Sequence, residues 1–166
     1  MVLSTLMTGI TPDAAFEGWV TNDDYVFAID LAPDAVTPTA VTAYGVVQMG
    51  VEGLDAQMNP VTVEKQFIRD GKSTLKTGSQ RSFKLTGDRY IGDDAQDFLI
   101  GTVGATGQAA ITNYVYFNIL TGKGEKGQIT IIVNSDSAGK SGESSSIDIE
   151  LKKVGAEPVA YTYAAA

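Results

Sequence analysis

A chain of 166 residues, 43% hydrophobic and 19% charged, suits one domain with a real core and is too apolar to be disordered. Its net charge of −8 argues against tight nucleic-acid binding, which calls for a basic face. With no Cys and no His, the sequence excludes disulfides, thiol nucleophiles, imidazole bases and thiolate or imidazole metal ligands.

Residues 1–22 read as an irregular arm, broken by Gly9, Pro12 and Gly18. They lack the basic n-region and sustained apolar core of a signal peptide. No run of about eighteen apolar residues marks a membrane span anywhere in the sequence. Tyr25, Phe27, Ile29 and Leu31 alternate with smaller or polar residues and predict a strand, cut by Pro33 and Pro38. Residues 41–51 read as extended, and 54–60 as a turn-rich connection. Val61, Val63, Lys65 and Phe67 predict a strand, and so do Phe83 and Leu85. Between these two, residues 69–80 are rich in Gly, Ser, Thr and Lys and predict a long, extended basic loop, mobile for want of anything to bury except Leu75.

Charge along this half is segregated. Asp13, Glu17, Asp23, Asp24, Asp30, Asp34, Glu52, Asp55 and Glu64 precede the first basic residue, Lys65. Arg69, Lys72, Lys76, Arg81, Lys84 and Arg89 then follow closely. A protomer polarised in this way can meet a copy of itself head to tail, basic face on acidic face.

Residues 92–100 predict the one convincing helix, with an Asp cap, acids in the first turn and apolar residues toward Gly101. A Gly/Ala/Thr loop leads to a strand at 111–120. One face of this strand carries Ile111, Asn113, Val115, Phe117 and Ile119; the other carries Thr112, Tyr114, Tyr116, Asn118 and Leu120. Large side chains on both faces call for cover on both, from the helix or from a neighbouring subunit, with Tyr114 and Tyr116 as the intersubunit candidates. Residues 129–133 and 147–151 complete the predicted strands, separated by a Ser/Gly loop.

The chemical motifs are weak. Residues 122–127 fit G-x-G-x-x-G, but a β-branched strand follows where a dinucleotide site needs a helix N-terminus, so a hairpin turn is the better reading. Ala138, Gly139, Lys140 and Ser141 echo the end of a P-loop without its first Gly or its helix. Asp93, Asp94 and Asp97 cluster where helix capping explains them better than a Ca²⁺ site. The expectation is therefore no catalytic residue, no metal and no cofactor.

One stretch carries a resemblance. KSTLKTGSQRSFKLTGDRYIGDDAQDFL, followed by NYVYFNIL, QITIIV and SIDIELKKVG, resembles in layout the tail tube proteins of long-tailed bacteriophages, over roughly residues 44–163. The first forty residues match nothing in that family. The resemblance implies a mainly β fold, a sandwich or partial barrel of seven to eight strands with one short flanking helix. It further implies a non-enzymatic virion protein whose hexameric rings share an inner barrel and stack head to tail into a hollow tube that conducts phage DNA without binding it. Implied partners are further copies of the chain and other tail proteins, such as the tape measure, tail terminator and distal tail proteins, with no membrane. Its place would be the virion tail, and the host cytoplasm during assembly. On charge and layout, Arg69, Lys72, Lys76 and Arg81 are the candidate inter-ring residues. The alternatives are the inner tube of a contractile injection or secretion system and a monomeric β-sandwich binding module.

Overall fold

The structure is a computed structural model and describes residues 1–164. In chain order these form the short helix α1 (Leu3–Leu6), then β1 (Tyr25–Ile29), β2 (Gly45–Val46), β3 (Val51–Gln57), β4 (Pro60–Phe67), β5 (Gly71–Ser79) and β6 (Ser82–Asp88). Helix α2 (Asp94–Gly101) follows, and then β7 (Ile111–Asn118), β8 (Lys123–Ala138), β9 (Ser146–Lys153) and β10 (Val159–Thr162). The main sheet runs β2-β1-β7-β8-β9-β6-β3, with antiparallel neighbours, and curls into a half-barrel. β10 pairs with the start of β8, while β4 and β5 form a separate two-stranded ribbon.

Period-two alternation gives the sheet two apolar faces near its middle. Phe27, Ile29, Phe83, Leu85, Tyr114, Ile129, Ile131, Ile147, Ile149 and Leu151 turn to one side, where Ala95 and Leu99 of α2 complete the main core. Val26, Ala28, Val115 and Phe117 turn to the other, beneath Leu3 and Met7 of the N-terminal segment, Tyr44, and the partly buried Tyr161 and Tyr163. β1 and β7 are therefore a wall shared by two cores. The bulky second face of residues 111–120 is covered from within the chain, by its first and last segments.

Helix α2 begins as its residues dictate. The Asp93 carboxylate accepts from the Gln96 backbone N–H at 3.0 Å. The Gln96 side chain, almost fully buried, joins the helix to the sheet. Its Nε2 donates to the Met49 and Asp88 carbonyls, both at 3.0 Å, and its Oε1 accepts from Arg89 Nη1 at 2.9 Å and the Tyr90 N–H at 2.6 Å. All four hydrogen-bonding positions of the amide are thus satisfied, as burial requires.

Several expectations are corrected. Residues 69–80 are not a long loop: Gly71–Ser79 is strand β5, paired with β4 from Phe67↔Gly71 to Pro60↔Ser79. The turn is only Ile68, Arg69 and Asp70, with Arg69 and Gly71 both at φ +74°. Residues 54–57 belong to β3, not to a turn-rich connection. β5 needs only backbone pairing and lacks the apolar alternation that betrays a buried face, while β3 shows that alternation only briefly, in Leu54 and Ala56, which pack against the main core. The partial barrel of seven to eight strands with a short flanking helix is borne out, seven strands along the curled sheet and β10 beside β8, and among the described residues the β4–β5 ribbon adds two strands outside it. Residues 1–7 of the supposed irregular arm are docked, with Leu3 and Met7 buried, because they cover the second core.

Candidate functional site

The β4–β5 ribbon prolongs β3 and β6 beyond the body, and none of its residues is buried. Its two faces differ. Val61, Val63, Phe67 and Leu75 form an apolar stripe with Lys65 and Ser73, and Val63 lies directly opposite Leu75. Thr62, Glu64, Gln66, Lys72, Thr74 and Lys76 make the polar face, where Lys72 pairs with Glu64. Ile68 caps the tip and is 92% exposed. An isolated hairpin of this kind is marginal in water, and an apolar stripe left bare on it is a surface awaiting cover.

The residues singled out from sequence divide here. Arg69, Lys72 and Lys76 are exposed on the ribbon, beside Lys65. Arg81 is not. It is buried at the ribbon's base, where its Nε donates to Glu125 Oε1 at 2.6 Å and its guanidinium lies over the rings of Phe83, at 4.7 Å, and Tyr116, at 5.3 Å. Tyr114 is a core residue whose hydroxyl donates to the same Glu125 oxygen at 3.0 Å. Burial first, and then the Glu125 charge, hold its phenol far above the usual tyrosine range. Tyr116 is half-buried and stacks on Tyr25 with ring centroids 5.4 Å apart. The structure thus gathers Arg81, Tyr114 and Tyr116 around Glu125 inside one chain, and leaves Arg69, Lys72 and Lys76 outside it.

Opposite charge lies on the segment between α1 and β1. Asp13, Glu17, Asp23 and Asp24 share it with Phe16, Val20 and a fully exposed Trp19. The segment is tied to the β7–β8 turn, for the Asp13 N–H donates to the Leu120 carbonyl at 2.7 Å and Lys123 Nζ donates to the Ala14 carbonyl at 3.0 Å. The sheet ends at β3 and at the two-residue β2; β3 keeps a free edge, whereas β2 is paired on its outer side with the N-terminal residues, the Val46 N–H donating to the Met1 carbonyl and the Leu3 N–H to the Tyr44 carbonyl, both at 2.9 Å. A cleft of about 270 Å³ opens between β2 and β3, lined by Tyr25, Phe27, Val47, Val51 and Leu54. Free strand edges offer unpaired N–H and C=O groups to any further strand.

The motif readings hold. Gly122, at φ +69°, closes the tight β7–β8 turn, and β8 starts at the next residue. A side chain at Gly124 would meet the Tyr116 carbonyl oxygen at 2.0 Å, so glycine there permits close strand pairing. Residues 139–145 are the β8–β9 turn, with the Lys140 N–H donating to Glu143 Oε2 at 3.0 Å and no helix behind it. Asp93 caps α2 and Asp97 pairs with Arg89; the Arg89 hydrogen bond, and then the Gly92 N–H, hold the Asp97 carboxyl below its usual range.

No protein-family model matches the chain, and no curated protein does. Its fold does have counterparts. A chain from the virion of a native gene transfer agent particle superposes with a TM-score of 0.59 at 16% identity, over 88% of this chain and 100% of that one. A chain from the tail of an empty gene transfer agent particle, refined with C6 symmetry, gives 0.57 at 17% identity, over 88% and 100%. One from the sheath–tube complex of an extracellular contractile injection system in its extended state gives 0.52 at 8%, over 90% and 95%. The fold is tail-tube-like, as the resemblance in the basic stretch and its helix implied.

Proposed function

We propose that this chain is a structural tail protein that assembles as hexameric rings stacked into a hollow tube. The observation that carries the reading is the bare ribbon β4–β5. It leaves the body with an apolar stripe on one face and a cluster of cations, and a monomer supplies nothing to cover either. The acidic segment bearing Trp19 offers the complementary surface on the next ring, and the free edge of β3 offers the lateral one. The C6 symmetry stated for the gene transfer agent tail supports six subunits per ring. A net charge of −8 on each subunit disfavours retention of a phosphate backbone, which suits DNA in transit. On this reading the partners are further copies of the chain and the proteins that initiate, measure and terminate the tail. The protein would sit in the virion tail after assembly in the host cytoplasm.

The test is direct. Concentrated protein viewed in negative stain should show rings or tubes, and sedimentation should show growth with concentration. A 17.5 kDa monomer at every concentration and salt would refute the reading. The likeness to the contractile sheath–tube complex favours one second reading, an injection tube that carries a protein cargo. Co-purification of a tube with an encapsulated protein, and exclusion of DNA from it, would select that alternative.

A further inference from the structure

The ribbon β4–β5 meets the body through only four residues, Met58 and Asn59 on one strand and Gln80 and Arg81 on the other. Pairing is kept across this joint by the Gln80 N–H donating to the Met58 carbonyl at 2.9 Å. Asn59, at φ +41°, bends the chain, and its Nδ2 donates to the Gln80 carbonyl at 3.2 Å and to Ser82 Oγ at 2.6 Å. Met58, Asn59 and Gln80 are exposed, and Arg81 alone is buried.

The Arg81 side chain does not form its ion pair with a neighbouring strand. It reaches from the foot of β6 past the end of β9, whose Lys153 N–H donates to the Arg81 carbonyl at 2.8 Å, to Glu125 on β8. Glu125 is itself fixed. Its backbone pairs with Tyr116 of β7 and Ala160 of β10, and its Oε1 also accepts from the Tyr114 hydroxyl. The aromatic faces of Phe83 and Tyr116 hold the guanidinium plane. A buried ion pair adds little net stability over well-packed apolar side chains, so its distinctive contribution is direction: the bond has one geometry, and apolar contacts have many.

We propose that the Arg81–Glu125 pair is a clamp that fixes the direction in which the β4–β5 ribbon leaves the body. Arg81 acts as a positioning residue for the ribbon and touches no partner itself. The clamp operates within a single chain, so its test stands whether or not rings form.

Since the sequence contains no Cys, two spin labels can be placed at will, at Thr74→Cys on the ribbon and Asp136→Cys on β8. Labelled chains diluted into excess unlabelled protein report only the distance within one chain. The native protein should give a single narrow distance distribution. The double variant Arg81→Met/Glu125→Met, made together with Tyr114→Phe so that no buried hydroxyl loses its acceptor, replaces the pair by apolar side chains, so it should keep a near-native melting temperature while its distance distribution broadens about twofold. Glu125→Gln keeps shape and removes charge, and should broaden the distribution to a lesser degree. A narrow distribution in the double variant, or in Glu125→Gln should the double variant fail to fold, overturns the clamp, and so does a broad distribution in the native protein.

Discussion

Reversing the charge of Lys72 and Lys76 by Glu separates the ribbon's part in assembly from its part in the fold. Lys72 is 64% exposed and its partner Glu64 54%, so their pair contributes only about 0–1 kcal/mol to the single chain. Lys76 has no ion-pair partner among the described residues, and nothing in the ribbon is buried. The double variant should therefore melt within about 3 °C of the native protein. Between proposed rings the arithmetic differs. Two contacts of about 0.5 kcal/mol, repeated around six subunits, sum to about 6 kcal/mol, or about four decades in the ring–ring association constant. Tube growth followed by turbidity and negative stain should fail at concentrations where native protein polymerises, and the native protein should itself weaken as salt rises. Arg81 is left out of this set because Glu at that position would face Glu125 inside the protein. Normal tubes from the double variant at physiological salt would refute the ribbon's charges as a stacking contact. A large loss of melting temperature would show that the ribbon is part of the cooperative fold.

Four further outcomes follow from the core, its caps and its titrating groups. Leu99→Ala leaves a cavity beneath α2, where Leu99 is fully buried, and should cost about 3 kcal/mol and about 10 °C in thermal melting. Asp93→Ala removes the α2 cap and should cost about 1 kcal/mol by denaturant unfolding. Two titrations have opposite signs. Asp97 is held below its usual range by Arg89, so its stabilising contribution is full at neutral pH and lost as pH falls through its lowered folded value; Asp97→Asn should flatten that acid limb. Tyr44 is pushed up from 10.0 to about 12, by burial first and then by the Asp30 charge. Stability should therefore decline as pH rises from 10 toward about 12, because the unfolded chain ionises first, and Tyr44→Phe should remove that part of the decline.

The buried strands were legible from sequence because burial imprints a period. Ile147, Ile149 and Leu151 alternate with Asp148, Glu150 and Lys152, and the structure puts the first set inside. Asp93 announced the helix start through the chemistry of orphan N–H groups. β5 was invisible for the converse reason: with both faces wet, Lys72, Thr74 and Lys76 are as acceptable as Ser73, Leu75 and Thr77, and the sequence reads as a loop. Arg81 misled because a cation within a basic run is read as exposed, whereas its partner Glu125 lies 44 residues away and no local pattern joins them. Gln96 was missed similarly, since its four partners are backbone and side-chain groups that only the fold assembles. The signal available for it was a long polar residue one turn into an amphipathic helix, on the apolar face beside Leu99.

The shared wall of β1 and β7 also dictates an order of events. β1 meets the two-residue β2 at Ala28↔Val46 and Ile29↔Gly45, but its longer partner, β7, from Tyr25↔Asn118 to Ile29↔Tyr114, comes some ninety residues later, while β7–β8 and β8–β9 are joined by short turns. Loop closure over such a span is costly, and local pairs form sooner. A chain emerging from the ribosome must therefore hold one edge of β1 unpaired until β7 has been made. The two cores then close together, in a single late step. Amide exchange on stalled nascent chains would register this as protection of the β1 amides that face β7, appearing only once β7 has cleared the exit tunnel. Until then, the most apolar strand of the N-terminal half is the most exposed to capture by other chains.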